Sequence, residues 1–248
     1  MNPFIKLLEV YVTYSLTCLY AFILNICGYN VPIMYPCRKT LNIFSHYLLE
    51  HPDSHEPLLK NHCLFFCNHR CFSDGFIDSW LTYGSGYITK ELNYYSCYFI
   101  MLYARLCNAV VFINKNKVNN SKLETDMDYI IRNKNLIVYI EGTRQLTDNP
   151  YPIKYGIVRL AYKNNIPIQI VITKNKELMG SFIKKSASLE TVYLYTYRSK
   201  AIYPTDFDTI DKWCQYINEE FSNSWNKVYN VDKDTIKWID KTDNYKDN

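Results

Sequence analysis

Beyond Pro36 the chain alternates short apolar runs with segments whose apolar residues recur at helical spacing. The runs are Cys63–Cys67, Ala109–Ile113, Leu136–Ile140 and Ile166–Thr173, with a more polar fifth at Thr191–Tyr197. A strand with one face in water alternates apolar and polar residues, whereas a strand buried on both faces is nearly continuous. The first four runs are of the second kind. Between them Leu123, Met127, Ile130 and Ile131 fall on one helical face, as do Ile157, Leu160 and Ala161. Near the end Ile210, Trp213, Cys214, Ile217, Phe221 and Trp225 form a third stripe, read as core packing. This alternation predicts an α/β fold, a layered and largely parallel sheet flanked by helices. In such sheets the loops at the strand carboxyl ends collect functional residues. Two segments fall there, Asn68 to Asp74 and Glu141 to Arg144.

The 248 residues, 48% hydrophobic and 21% charged, suit one cored domain, or one domain with appendages. A net charge of +4 permits a membrane surface or a phosphorylated substrate and argues against a dedicated nucleic-acid binder. Nine cysteines are an odd number without small-scaffold spacing, which reads as reduced thiols in a cytosol-facing protein. Cys63, Cys67 and Cys71, with His62 and His69 among them, raise the question of zinc. Their regular spacing of four is no common zinc pattern, so buried packing cysteines are the expectation and no metal is assigned.

No Asp, Glu, Lys or Arg occurs from Val10 to Cys37, and Val10 to Cys27 is mainly apolar. A spanning helix needs about 20 such residues. Thr13, Ser15, Thr17 and Asn25 dilute the run, and its length and lack of a small-residue cleavage site argue against a signal peptide. An N-terminal hydrophobic membrane-associated helix is expected, spanning the bilayer, lying in its interface or packed on the protein. Lys6 on one side and Arg38 and Lys39 on the other leave it unoriented. The expected organisation is a membrane-associated segment over residues 1–37, a cored α/β domain over 38–230 and a polar tail over 231–248.

In "FFCNHRCFSDGF" a buried run breaks into Asn68-His69-Arg70, and Asp74 follows. On one continuous helix His69 and Asp74 would lie roughly 140° apart, so they meet only if the chain turns between them. A strand ending near Cys67 and a helix starting near Asp74, with Ser73 or Asp74 as N-cap, would allow it. Asp74 would then fix the imidazole tautomer and leave the other nitrogen as a base. A capping Asp beside an unrelated surface His fits the same residues. In "YIEGTRQ" Gly142 permits a tight turn, Thr143 offers a hydroxyl and Arg144 a planar donor suited to phosphate. Glu141 repels phosphate and is read as holding Arg144 or the loop backbone. A glycine turn with a surface ion pair remains open.

Together these blocks resemble the glycerolipid acyltransferase family typified by 1-acylglycerol-3-phosphate acyltransferase. "NHRCFSD" is similar to its Asn-His-x4-Asp block, "VFINK" to Phe-Ile-Asp-Arg, "IEGTR" to Pro-Glu-Gly-Thr-Arg and "IPIQIVI" to its Pro-containing strand. "TKELN" and "IKYGIVRLAYKNNIP" resemble the connecting segments, and the order holds over about residues 60–175. Asn114, Lys115 and Ile140 depart from the Asp, Arg and Pro of the family, and Gln169 and Ile170 replace the end of the fourth block, whose second Pro is absent.

The resemblance implies acyl transfer from acyl-CoA to a lysophospholipid hydroxyl, most simply 1-acyl-sn-glycerol-3-phosphate giving phosphatidic acid. His69 would be the general base and Asp74 its orienting partner. Lys115, Arg144 and the Gly142–Thr143 backbone would hold the acceptor phosphate, with Glu141 supporting that loop. No cofactor beyond acyl-CoA as co-substrate is implied. The expected partner is a bilayer, that of an intracellular membrane with the site facing the cytosol. Tyr94 to Ile113 is expected either to add a second membrane-facing or acyl-lining surface or to be a core helix leading into the Ala109–Ile113 strand. Alternatives are remodelling of another lysolipid such as lysocardiolipin, a Cys67 or Cys71 nucleophile, and a silent membrane-associated or zinc-binding protein on Cys63, Cys67, His69 and Cys71.

Overall fold

All five apolar runs become strands in a computed structural model that describes residues 1–55, 58–60, 62–113, 120–132, 134–144, 146–232 and 234–243. In chain order the helices are α1 (Pro3–Ile26), α2 (Met34–Leu41), α3 (Asp74–Leu81), α4 (Asn93–Ser96), α5 (Tyr98–Leu106), α6 (Asn120–Ile131), α7 (Tyr155–Lys163) and α8 (Ile210–Tyr229). The strands are β1 (His46–Glu50), β2 (Leu64–Cys67), β3 (Gly86–Lys90), β4 (Val110–Ile113), β5 (Leu136–Val138), β6 (Ile168–Lys174), β7 (Val192–Arg198) and β8 (Ile239–Asp240). They form one sheet in the order β4-β3-β5-β2-β6-β7-β1-β8. The block from β4 to β6 is parallel throughout, and β7 and β1 are parallel to each other. The β6–β7 and β1–β8 pairings are antiparallel. The expected largely parallel sheet is observed.

The near-continuous hydrophobicity of the central strands has a direct cause. Cys63, Phe65 and Cys67 face a core shared with α1, α2, α3 and α5. Leu64 and Phe66 face a second core built on α6, α7 and α8. Ile137 of β5 points to the first core, and Leu136 and Val138 point to the second. Gln169 sits inside β6 at no polar loss, because its amide donates to Ser199 O at 3.0 Å and accepts from Leu59 N–H at 3.2 Å.

Three strands carry no such signal. In β1 only Leu48 and Glu50 are buried, and β3 begins at Gly86, where an added Cβ would lie 2.7 Å from Ala109 O. The third corrects the expected polar tail. Ile239–Asp240 extends the sheet beside β1, and the buried Thr242 accepts the Leu48 N–H through Oγ1 at 2.9 Å.

At the other end, Asn2 caps α1 by accepting the Phe4 N–H at 2.8 Å, and Pro3 opens the helix. Leu7, Val10, Tyr14, Cys18 and Ala21 form a buried stripe on the domain. Ile5, Leu8, Val12, Leu16 and Ile23 are exposed. The core-helix reading of Tyr94 to Ile113 is the one observed, with one face of the helix left exposed. Ile100, Met101, Tyr103 and Ala104 of α5 are core, Tyr98, Phe99 and Leu106 are exposed, and the helix leads into β4.

The aromatic stripe of α8 is core as expected, with Trp213 and Trp225 having no exposed surface. Truncating Phe221, which packs 6.1 Å from the Trp225 ring, leaves a cavity between α8 and the sheet. Phe221→Ala is expected to lower unfolding stability by about 3–5 kcal/mol in a urea titration; a loss under about 1 kcal/mol would mean that the site collapses around the gap.

Candidate active site

The chain leaves β2 at Cys67 and turns through Asn68–Ser73 into α3. That turn brings His69 and Asp74 together, with Nδ1 2.8 Å from Asp74 Oδ2. The same oxygen accepts the backbone N–H groups of Arg70 at 2.6 Å and Cys71 at 2.9 Å. Asp74 therefore organises the loop before it and does not cap the helix after it. Ser73 is the N-cap residue, and its side chain makes no capping bond. Burial opposes the Asp74 charge, but Lys176, the His69 contact and the Cys71 N–H outweigh it and hold the carboxyl down at about 2. Asp74 thus accepts, Nδ1 donates, and Nε2 is the ring nitrogen left free to meet a substrate.

Tyr139 stacks on the imidazole, with centroids 4.3 Å apart and planes 15° apart. Its hydroxyl donates to Asp78 Oδ2 at 3.0 Å. Asp78 lies one helical turn after Asp74 and meets Lys176 Nζ through both oxygens, at 2.8 and 3.0 Å. Lys176 follows β6 and also donates to Asn68 O at 2.6 Å. Burial works against its charge, but Asp74 and Asp78 raise its pKa and keep it cationic. Arg70 forms a second buried pair, donating to both Glu177 oxygens at 3.1 and 3.3 Å and to Thr147 O at 2.6 Å.

The second motif follows β5. The sequence reading gives Glu141 to Arg144 or to its own loop; in the structure its Oε2 accepts the His69 backbone N–H at 2.6 Å. Gly142 has φ +67°, and a Cβ there would lie 2.5 Å from Lys154 Nζ, so the missing side chain makes room for that lysine. Thr143 and Arg144 are exposed, and the Arg144 charge reaches toward the Cys97 thiol at the start of α5. Asn114 and Lys115 lie outside the described residues.

Two of the cysteines around the first motif have polar partners. Cys63 Sγ donates to Leu64 O at 3.4 Å, and Cys71 Sγ lies 2.7 Å from Ser73 Oγ. Burial pushes the Cys67 and Cys71 thiols well up, with Asp78 and Asp74 adding to the effect, so both are poor nucleophiles.

Four residues around the site escape the motif reading: Tyr139, Lys154, Lys176 and Asp78. Asp78 carries a usable signal, since positions four apart share a helix face and the sequence reads Asp-Gly-Phe-Ile-Asp. A lysine in the loop "KNKEL" carries none.

The acyltransferase family profile matches residues 49–174, half of the chain and the half that contains both motifs, and the chain belongs to this family. A protein of Mycoplasma genitalium described as a probable 1-acyl-sn-glycerol-3-phosphate acyltransferase is 30% identical over 111 residues. That alignment covers 41% of this chain and 40% of the relative, so the match spans less than half of the relative's length. The crystal structure of the 1-acyl-sn-glycerophosphate (LPA) acyltransferase PlsC from Thermotoga maritima shares the fold, with a TM-score of 0.69 at 14% identity. The superposition covers 90% of this chain and 96% of that one.

Glu141 gives the site a pH signature. Burial raises its carboxyl to about 8 against the pull of the His69 N–H and Lys176. A carboxyl raised on folding stabilises the protein while protonated, fully below its unfolded pKa, and that contribution is lost as pH rises toward 8. Glu141→Gln keeps an acceptor for His69 and does not titrate. It is expected to gain roughly 2–4 kcal/mol on wild type between pH 5 and pH 8.5. Parallel stability curves for the two proteins would show that Glu141 ionises freely.

Proposed function

We propose that the chain transfers a fatty acyl group from acyl-CoA to the hydroxyl of a lysophospholipid, 1-acyl-sn-glycerol-3-phosphate first, giving phosphatidic acid. The observation that carries the reading is the His69–Asp74 pair at 2.8 Å, standing at the carboxyl end of β2 beside the Gly142–Arg144 loop of β5. Nε2 takes the acceptor hydroxyl proton as the oxygen attacks the thioester carbonyl carbon. The tetrahedral adduct collapses, the carbon–sulfur bond breaks, and the departing thiolate takes the proton back from the imidazolium. Asp74 stabilises that imidazolium and keeps the ring oriented. A thioester is already activated, so no acyl-enzyme is required, in keeping with the raised thiols of Cys67 and Cys71.

Arg144 and Lys154 bind the acceptor phosphate at the Gly142 turn, with the Thr143 hydroxyl and Lys115 completing the set. Glu141 supports this arrangement from behind, through the backbone of His69. The bilayer is reached through α1. Its exposed stripe of Ile5, Leu8, Val12, Leu16 and Ile23 lies in the interface while the opposite stripe stays on the domain. The catalytic loop adjoins it, because Phe72 packs 5.5 Å from Tyr11 of α1 and 5.2 Å from Phe182. The site faces the cytosol, where acyl-CoA is found and the nine free thiols remain reduced.

Purified protein given acyl-CoA and a panel of lysolipids is expected to acylate lysophosphatidate best; a clear preference for a lysolipid with a larger headgroup would replace this acceptor assignment. His69→Ala is expected to fold and to lose at least about 100-fold in rate. Near-full activity in that variant would remove His69 from the role of base. Arg144→Ala is expected to raise KM for lysophosphatidate about tenfold or more and to leave KM for acyl-CoA nearly unchanged. Equal effects on the two would show that Arg144 does not read the acceptor.

A further inference from the structure

Behind His69 stand three fully or almost fully buried ions, Asp74, Lys176 and Asp78. An ammonium has three N–H groups, and those of Lys176 meet Asn68 O and the two Asp78 oxygens. Asp74 Oδ1 is left at 3.6 Å, outside direct hydrogen bonding. Every partner of the Asp78 carboxylate is a donor, the two Lys176 contacts and the Tyr139 hydroxyl. That is the pattern of an ionised acid, although burial pushes its pKa upward.

Below about pH 8 the neighbouring ionisable groups leave the charge count unchanged. Cys67 from β2 and Tyr139 from the end of β5 are raised and neutral, and Glu141 beyond them is raised by burial. Arg70 is paired with Glu177. The balance therefore rests on Asp74, Asp78 and Lys176, two negative charges against one positive. Without Asp78, the ammonium would cancel the Asp74 charge on which the imidazolium depends.

We propose that Asp78, which makes no contact with His69, is a positioning residue that sets the charge of the site: it engages Lys176 so that one net negative charge remains behind a neutral imidazole. The proposal rests on the acyl-transfer reading above. It goes beyond that reading by assigning the strength of the base to a carboxylate one turn along α3 and to its lysine.

The test is Asp78→Asn, which keeps the shape and an acceptor for Lys176 and removes the charge. The acid limb of its kcat/KM profile is expected to move down by roughly one pH unit. Its plateau is expected to fall roughly three- to tenfold, because a weaker base transfers the proton less well. Damage to packing alone would lower the rate at every pH and leave the limb in place, which would overturn the proposal. The double variant Asp78→Asn with Lys176→Met restores one net negative charge, and its limb is expected to return to the wild-type position. If the single variant does not fold, the double variant is read alone, and a limb displaced in either direction overturns the proposal. The His69 ring resonances, followed by NMR across pH in the same variants, are expected to move in the same order. That readout needs no substrate, so a wild-type protein inactive on every lysolipid would overturn the acyl-transfer reading while the charge proposal stood or fell on the ring titration.

Discussion

A lysine with no exposed surface clamps both ends of the loop that carries His69. The Lys176 ammonium holds Asn68 O at the start of the loop, and its backbone carbonyl accepts the Ser73 hydroxyl at 2.5 Å where α3 begins. Burying an ion costs several kcal/mol and is offset only where its partners are complete. Here they are complete, and each is also part of the site's frame. Among these partners no buried charge or carbonyl is left unmet, so the loop conformation, the start of α3 and the Asp74 carboxylate reinforce one another.

The middle of the loop is held separately. Arg70 reaches Leu146 O and Thr147 O beyond the second motif, pairs with Glu177 beside Lys176, and lies 5.2 Å from the Tyr229 ring centroid. Tyr229 closes α8, stacks on Trp225 and donates its hydroxyl toward Thr173 O. Trp225 in turn donates to Asp148 O at 2.6 Å. A helix that begins 141 residues after His69 and 66 residues after Arg144 thereby braces the loops of both motifs. The topology makes this possible. With β2 between β5 and β6, the three loops bearing His69, Glu141 and Lys176 emerge side by side from one edge of the sheet.

What can be read in the sequence follows from hydrophobic pattern. Strands buried on both faces announce themselves, so β2, β4, β5 and β6 are legible along with the helices beside them, and the more polar β7 is legible as an apolar run of strand length. His69 and Asp74 are legible as a pair only in the company of Glu141 to Arg144. β1 and β8 are not legible. The first is short and half-exposed, and the second is two residues held at the sheet edge by one antiparallel pairing and by the Thr242 hydroxyl. Lys176 is beyond reach for a different reason. Its role depends on where the end of β6 lies relative to α3, and a lysine in a polar loop looks the same whether it is solvated or buried against two carboxylates.

The two flanks of His69 differ in character, and that difference bears on the acceptor. On one flank Phe72 joins Tyr11, Tyr14 and Phe182 in an apolar cluster continuous with α1. On the other, the Gly142 turn carries Thr143 and Arg144 with Lys154 laid across it. A molecule with an acyl chain at one end and a phosphate at the other would be drawn to both flanks at once, with the polar atoms between them beside the imidazole. A lysolipid keeps its free hydroxyl in that middle region, between chain and phosphate. Under the proposed reading the site therefore needs no dedicated pocket for the hydroxyl: anchoring the two ends brings the reacting oxygen to Nε2, and binding energy from the remote ends is converted into orientation at the reacting centre.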